Sequence, residues 1–120
     1  MLRIKRLFKS FTYAFKGLKR TFIEEQNFQI QTIVGIFVII LGLYFRISRI
    51  EWCFIIFTIG TVMLMELANS AVERVADILK PRIHDYVKEI KDIMAAAVFL
   101  ASMSAVIIGL IIFLPYLFRL

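Results

Sequence analysis

Glu66, Asn69, Glu73 and Asp77 are the side chains whose types and spacing can do chemistry. At about 100° per residue on a helix they fall at roughly 0°, −60°, −20° and +20°, so one narrow face carries three carboxylates and an amide. Glu73 and Asp77 alone would fit an ordinary solvated face. Glu66 does not, because Trp52 to Met65 is an uncharged apolar run leading straight into it. An unpaired charge at a bilayer centre costs at least about 2.5–3.5 kcal/mol, so such a row must meet water, a metal, a cation or a partner helix.

The elements around this row belong to a membrane protein. Of 120 residues 61% are hydrophobic, far above a soluble domain. The net charge of +6 raises the question of nucleic acid, but the Lys and Arg residues flank apolar segments instead of forming a basic domain, so no nucleic-acid partner is expected. Cys53 is the single cysteine and His84 the single histidine, which excludes an intrachain disulfide and a Cys/His metal set. No apolar run and cleavage site follow the basic start at signal-peptide distance, so the N-terminus is expected to be retained. The P-loop, the kinase glycine loop, the nucleophile elbow and H-E-x-x-H are all missing.

The pattern predicts one all-α integral membrane domain, residues 1–120. In residues 1–26, Phe8, Phe11, Phe15, Leu18 and Phe22 draw an apolar stripe at 3-4-3-4 spacing with cations on the other side, the pattern of an amphipathic surface helix. Three spans follow, at 30–45, 52–78 and 93–118. The first covers only about 24 Å as helix, with Gln29 and Arg46 at its ends. Residues 46–51 form a tight polar link, and 78–92 a second polar region in which Pro81 ends or closely follows the second span. Ala97, Ala101, Ala105 and Gly109, spaced by four, form a small-residue seam for close helix packing.

On residue chemistry alone two readings stand. Acids, an amide and cations at one membrane boundary suit Mg²⁺ and phosphate, and a small proton-coupled exporter with Glu66 as carrier is also open.

Resemblance takes the reading further. The run Glu66-x-x-Asn69-Ser70-Ala71-Val72-Glu73-x-x-x-Asp77, then His84, then Lys91-Asp92-x-x-Ala95-Ala96-Ala97-Val98, resembles the signature of the bacterial integral-membrane lipid kinases, diacylglycerol kinase and undecaprenol kinase. The likeness extends upstream through Tyr13-Ala14-Phe15-Lys16-Gly17-Leu18 and Glu25-x-Asn27-Phe28. Ile90 and Met94 depart from it, standing where small residues are usual. Glu25 to Ile30 and Ala105 to Pro115 look like the undecaprenol kinase branch.

The resemblance implies transfer of the γ-phosphoryl of MgATP to a lipid hydroxyl. It implies Glu66 as general base, also touching the lipid, and Glu25 and Glu73 as metal carboxylates beside the nucleotide. Asn69, Lys91 and Asp92 would position the nucleotide. Tyr13, Arg82 and His84 match nucleotide-contacting regions less sharply, and Asp77 would orient the nucleotide site. Arg6 is a candidate for the lipid headgroup, a solvated arginine being the plainer reading. A homotrimer in the bacterial inner membrane is the expected form.

The cations set the orientation. Seven Lys and Arg lie in residues 1–26 and five in 74–91, against two in 46–51 and one at Arg119. The positive-inside rule places the N-terminus, the 78–92 region and the acidic row in the cytoplasm, with the 46–51 link and the C-terminus outside. An Arg119→Cys chain in a Cys53→Ala background should therefore react with an impermeant thiol reagent on intact cells. Labelling only after lysis would reverse the orientation.

Overall fold

The structure, a computed structural model, describes residues 3–79 and 84–120, and of His84 the backbone alone. Among these residues it is all helix: α1 Ile4–Glu24, α2 Gln26–Phe45, α3 Arg49–Leu79 and α4 His84–Phe118. The last three are long and apolar enough to cross a membrane. α3 packs most extensively on α4 and next on α2, while α1 touches α2 and α3 sparsely.

Each helix outruns the span expected of it. α2 starts at Gln26 because only Glu25, in extended conformation, separates it from α1. The side-chain amide of Gln29 turns back and donates to the carbonyl of Phe22 at 2.7 Å and that of Ile23 at 3.4 Å, satisfying acceptors that the end of α1 leaves open. α3 starts at Arg49 because Ser48 and Glu51 form a capping box: the Glu51 amide donates to Ser48 Oγ at 3.2 Å, and the Ser48 amide to Glu51 Oε1 at 2.9 Å. α4 corrects the sequence reading most, since residues 84–92 are helical and continuous with the third span. Val87 of that segment is buried, as is Ala76 of α3, so the inner turns of α4 pack in the bundle.

The bundle is tightest at the end away from the acidic row. Ile47, Ile55, Ile112 and Phe113 form its core, with Phe45, Trp52 and Tyr116 packed around them. Tyr116 donates its hydroxyl to Glu51 Oε1 at 2.5 Å, tying α4 to the capping box. α2 ends at Arg46 in the left-handed conformation, and the Gly42 carbonyl accepts from the amides of both Arg46 and Ile47. Proline costs little at Pro115, in the last turns of α4.

α2 meets α3 through a stripe that reads Phe28, Gln31, Gly35, Val38 and Gly42, a 3-4-3-4 spacing; Phe28, Gly35 and Gly42 are buried. At Gly42 an added Cβ would lie 2.7 Å from the Trp52 ring, whereas at Gly60 it would meet nothing within 4 Å. Gly42→Ala should thus cost about 1–3 kcal/mol by overpacking the α2–α3 turn. Gly60→Ala should be neutral or gain up to about 1 kcal/mol from helix propensity. Denaturation of both variants in one detergent checks the contrast, and equal stabilities would refute the close approach.

Candidate active site

The inward stripe of α3 runs through Trp52, Ile55, Ile59, Val62, Glu66, Asn69 and Glu73 at 3-4-3-4-3-4 spacing, so the acidic row continues the packing face in register. Exposure rises along it. Glu66 is buried at 6%, Glu73 is half-buried, and the Asp77 side chain is 64% exposed. The deepest carboxylate is the one that follows the uncharged run.

Three elements surround Glu66. From α2, Gln31 stands within side-chain hydrogen-bonding reach of it. From the α1–α2 junction Glu25, and from α3 itself Glu73, lie close enough to act on it electrostatically. Glu25 is held against α3 by the hydroxyl of buried Ser70, which donates to Glu25 Oε1 at 3.2 Å. Asn69 Nδ2 donates to Glu73 Oε1 at 3.3 Å, one helical turn apart. Arg74 donates to Glu24 Oε2 at 2.6 Å and stands 4.0 Å from Glu25 Oε1.

α4 joins through Lys91, whose ammonium donates to Asp77 Oδ1 at 2.9 Å and feels Glu73 as well. Of the residues singled out in the sequence, Glu25, Glu66, Asn69, Glu73, Asp77 and Lys91 thus belong to linked contacts at one end of the bundle. Asp92 is beside Lys91 but exposed.

Tyr13 and Arg6 are not brought to the cluster by any contact within the chain. Both are exposed on α1, about 18 and 28 Å along the helix axis from Glu25, and Lys16 sits 6.0 Å from the centre of the Tyr13 ring. Arg82 lies outside the described residues, as does the side chain of His84.

The site gains residues that the sequence reading gave no role. Gln31 carries the only sequence signal of its kind, an amide just inside an apolar run. Ser70 stands in the quoted signature, and its place one turn beyond Glu66 puts it on the buried face. Arg74 gives no signal, since its partners come from a different helix.

The donor set can be tested against a divalent cation. Among the described residues no group of three or more His, Cys, Asp and Glu gathers, so an all-protein cage is not built there. Glu25 and Glu73, carboxylates that both act electrostatically on Glu66, are donors of the kind that suits Mg²⁺, which is usually held by one or two carboxylates together with waters and substrate phosphates.

An apolar cleft of about 400 Å³ opens beside Gln31 between α2, α3 and α4 and reaches Phe113. Ala105 and Gly109 line it, so the outer half of the α4 small-residue seam faces open space within the chain, and an added Cβ at Gly109 would meet nothing within 4 Å.

Comparison with known proteins identifies a family. Residues 12–113 match the family model described as prokaryotic diacylglycerol kinase. The chain is 39% identical over 114 residues to the undecaprenol kinase of Bacillus subtilis, covering 95% of this chain and 93% of that one. It is 36% identical over 115 residues to the diacylglycerol kinase of Synechocystis, covering 95% and 66%. It is also 36% identical over 93 residues to that of Helicobacter pylori, covering 78% and 73%.

Burial makes the Gln31–Glu66 contact testable on stability alone. Gln31→Leu leaves a buried carboxylate short of a donor and should cost about 1–3 kcal/mol. Adding Glu66→Leu should recover much of that loss, because removing both partners removes the unmet desolvation. Denaturant unfolding of single and double variants measures this, and additive losses would show that the two side chains are not coupled.

Proposed function

The chain belongs to the prokaryotic diacylglycerol kinase family and is a membrane lipid kinase, and from that premise we propose that it transfers the γ-phosphoryl of MgATP to undecaprenol, giving undecaprenyl phosphate. The observation that carries the assignment of roles is the order of depth. Glu66 is buried one turn beyond Val62 of the cleft wall, and the nucleotide-side groups stand nearer water, Glu73 and Lys91 partly exposed and Asp77 most exposed.

A lipid hydroxyl sits at the apolar boundary, so its base must be the deepest carboxylate. Glu66 accepts the hydroxyl proton while the freed oxygen bonds to the γ-phosphorus, and the bond from that phosphorus to the bridging oxygen of ATP breaks. ADP and a lipid phosphate leave. Gln31 orients the Glu66 carboxylate for the transfer. Asn69, Lys91 and Asp92 position the nucleotide, with Asp77 holding Lys91 in place. Glu25 and Glu73 would hold Mg²⁺, which when bound supplies positive charge to the phosphates and orients them for in-line attack. The exporter reading gives way to family membership.

Sidedness follows from the supply of ATP and the cation distribution, which agree on a cytoplasmic site and N-terminus. α1 then lies on the inner membrane surface, since Phe8, Phe11, Phe15, Leu18 and Phe22 are exposed within the chain and need a covering phase. In this reading the assembly is a homotrimer. Tyr13 stands away from the cluster of its own chain, and a neighbouring copy can bring its α1 there instead.

Two lipids compete for the assignment. The relative named undecaprenol kinase is 39% identical over nearly its full length, and relatives named diacylglycerol kinase reach 36%. A polyprenol has no ester carbonyls to grip, so its selection must come from shape, and a largely apolar cleft beside Gln31 suits it. The purified protein with radiolabelled ATP should show higher kcat/KM for undecaprenol than for diacylglycerol in one bilayer. Glu66→Gln should abolish turnover of both lipids while nucleotide binding survives. A reversed ratio would assign diacylglycerol, and no transfer to either lipid would reject the substrate class.

A further inference from the structure

The joint between α1 and α2 is one residue long, and that residue is Glu25. Its backbone is extended (φ −110°, ψ 111°) between two helices, its amide donates to the Thr21 carbonyl, and its own carbonyl accepts from Gln29. Local bonds therefore set the turn. They do not set where the joint docks on α3. Two contacts do that: Ser70 to Glu25, and Arg74 to Glu24, the second being a charge-assisted bond of 2.6 Å.

We propose that Arg74 is a positioning residue for Glu25, docking the α1–α2 joint on α3 through Glu24 and so fixing where the Glu25 carboxylate stands. The inference rests on the reading of Glu25 as a nucleotide-side metal carboxylate and adds the residue that holds it. Arg74 follows Glu73 directly, so it projects about 100° away from the inward stripe, toward the joint and not into the cluster. Its guanidinium reaches two adjacent acids at once, 2.6 Å from Glu24 Oε2 and 4.0 Å from Glu25 Oε1. The same Glu25 oxygen takes the Ser70 hydroxyl at 3.2 Å, so that oxygen is committed to α3 and its twin is left for a ligand.

Charge gives the pair a second effect. Glu24, Glu25, Glu66 and Glu73 put four acids around the joint and that end of α3, and Arg74 is the cation in contact with the two acids of the joint. Without it Glu24 and Glu25 repel the acids of α3, and the Ser70 hydroxyl alone is left to dock the joint against that repulsion. Both side chains are partly exposed, 44% for Arg74 and 53% for Glu24, so the pair contributes little to overall stability. A positional role and a stabilising role can therefore be told apart.

The test compares Arg74→Met, Arg74→Lys, the swap Glu24→Arg with Arg74→Glu, and Glu25→Gln. Titration of a non-hydrolysable ATP analogue with Mg²⁺ gives binding apart from turnover. KM for MgATP, KM for lipid and the unfolding midpoint complete the set. Arg74→Met should weaken analogue binding and raise the nucleotide KM about three- to fivefold, the size an exposed ion pair carries, leaving lipid KM and midpoint unchanged. Lys should restore most of the loss and the swap part of it. If Glu25→Gln weakens analogue binding and Arg74→Met does not, Glu25 keeps its role and the positioning inference falls. The inference also falls if Arg74→Met lowers only the midpoint, or if the folded swap recovers nothing. If Glu25→Gln binds the analogue as the parent does, the underlying reading of Glu25 fails and takes the inference with it.

Discussion

A carboxylate buried in a helix bundle has to be met by polar groups from the helices that bury it, and Glu66 imposes that requirement on everything near it. The 3-4 rhythm of α3 admits no escape. The face that presents Trp52, Ile55, Ile59 and Val62 to the bundle also presents Glu66, so any register that buries the apolar residues buries the acid. α2 answers with Gln31 on its own packing stripe, and the α1–α2 joint turns Glu25 onto Ser70 one turn further along. The site is thus the inner end of the packing interface itself.

That arrangement explains the uneven distribution of packing. Around the acidic row the contacts are polar, partly exposed and individually weak, the Lys91–Asp77 and Arg74–Glu24 pairs both being screened by water. The opposite end carries the apolar core, the Ser48–Glu51 capping box, the Tyr116 hydroxyl on Glu51 and the Gly42–Trp52 contact. On the proposed reading, the tightest packing thus lies away from the end where the chemistry is done.

The acidic face, the three apolar helices and their order were legible in the sequence, because charge inside an apolar run is a conspicuous departure and length alone marks a span. The packing stripe of α2 was not. Residues 30–45 are apolar on every side, so Gly35, Val38 and Gly42 show no period until a neighbour identifies which face is covered. That the polar residues 84–92 continue the third span as one helix was not legible, because Lys88, Glu89, Lys91 and Asp92 dominate them, although Val87, Ile90 and Met94 keep helical spacing. Ser-x-x-Glu at Ser48 and Glu51 is a readable cap, overlooked because a short polar link between spans explains those residues without it. Of the site, Asn69 and Glu73 were legible by spacing on the acidic face, the roles of Glu25, Asn69, Glu73 and Lys91 came through likeness of motif, and the contacts among these residues needed coordinates. Gln31 and Arg74 became visible only through partners on other helices.

The joint at Glu25 shows why likeness of motif and geometry had to be combined. A longer linker between α1 and α2 would cost little in closure entropy and would relieve the extended residue, yet the chain leaves a single residue there. The consequence is mechanical. With one residue between two helices, the direction of α1 and the position of the Glu25 carboxylate cannot change independently, because the same φ and ψ determine both. Gln29 restricts that pair further by holding the last carbonyls of α1 from within α2. A helix with an exposed apolar stripe is thereby coupled to a carboxylate near Glu66. On the proposed reading, in which that stripe rests on the membrane surface, the level of α1 and the polar end of the site become one geometric variable, which suits an enzyme that must bring a water-borne nucleotide and a membrane-bound hydroxyl to the same depth.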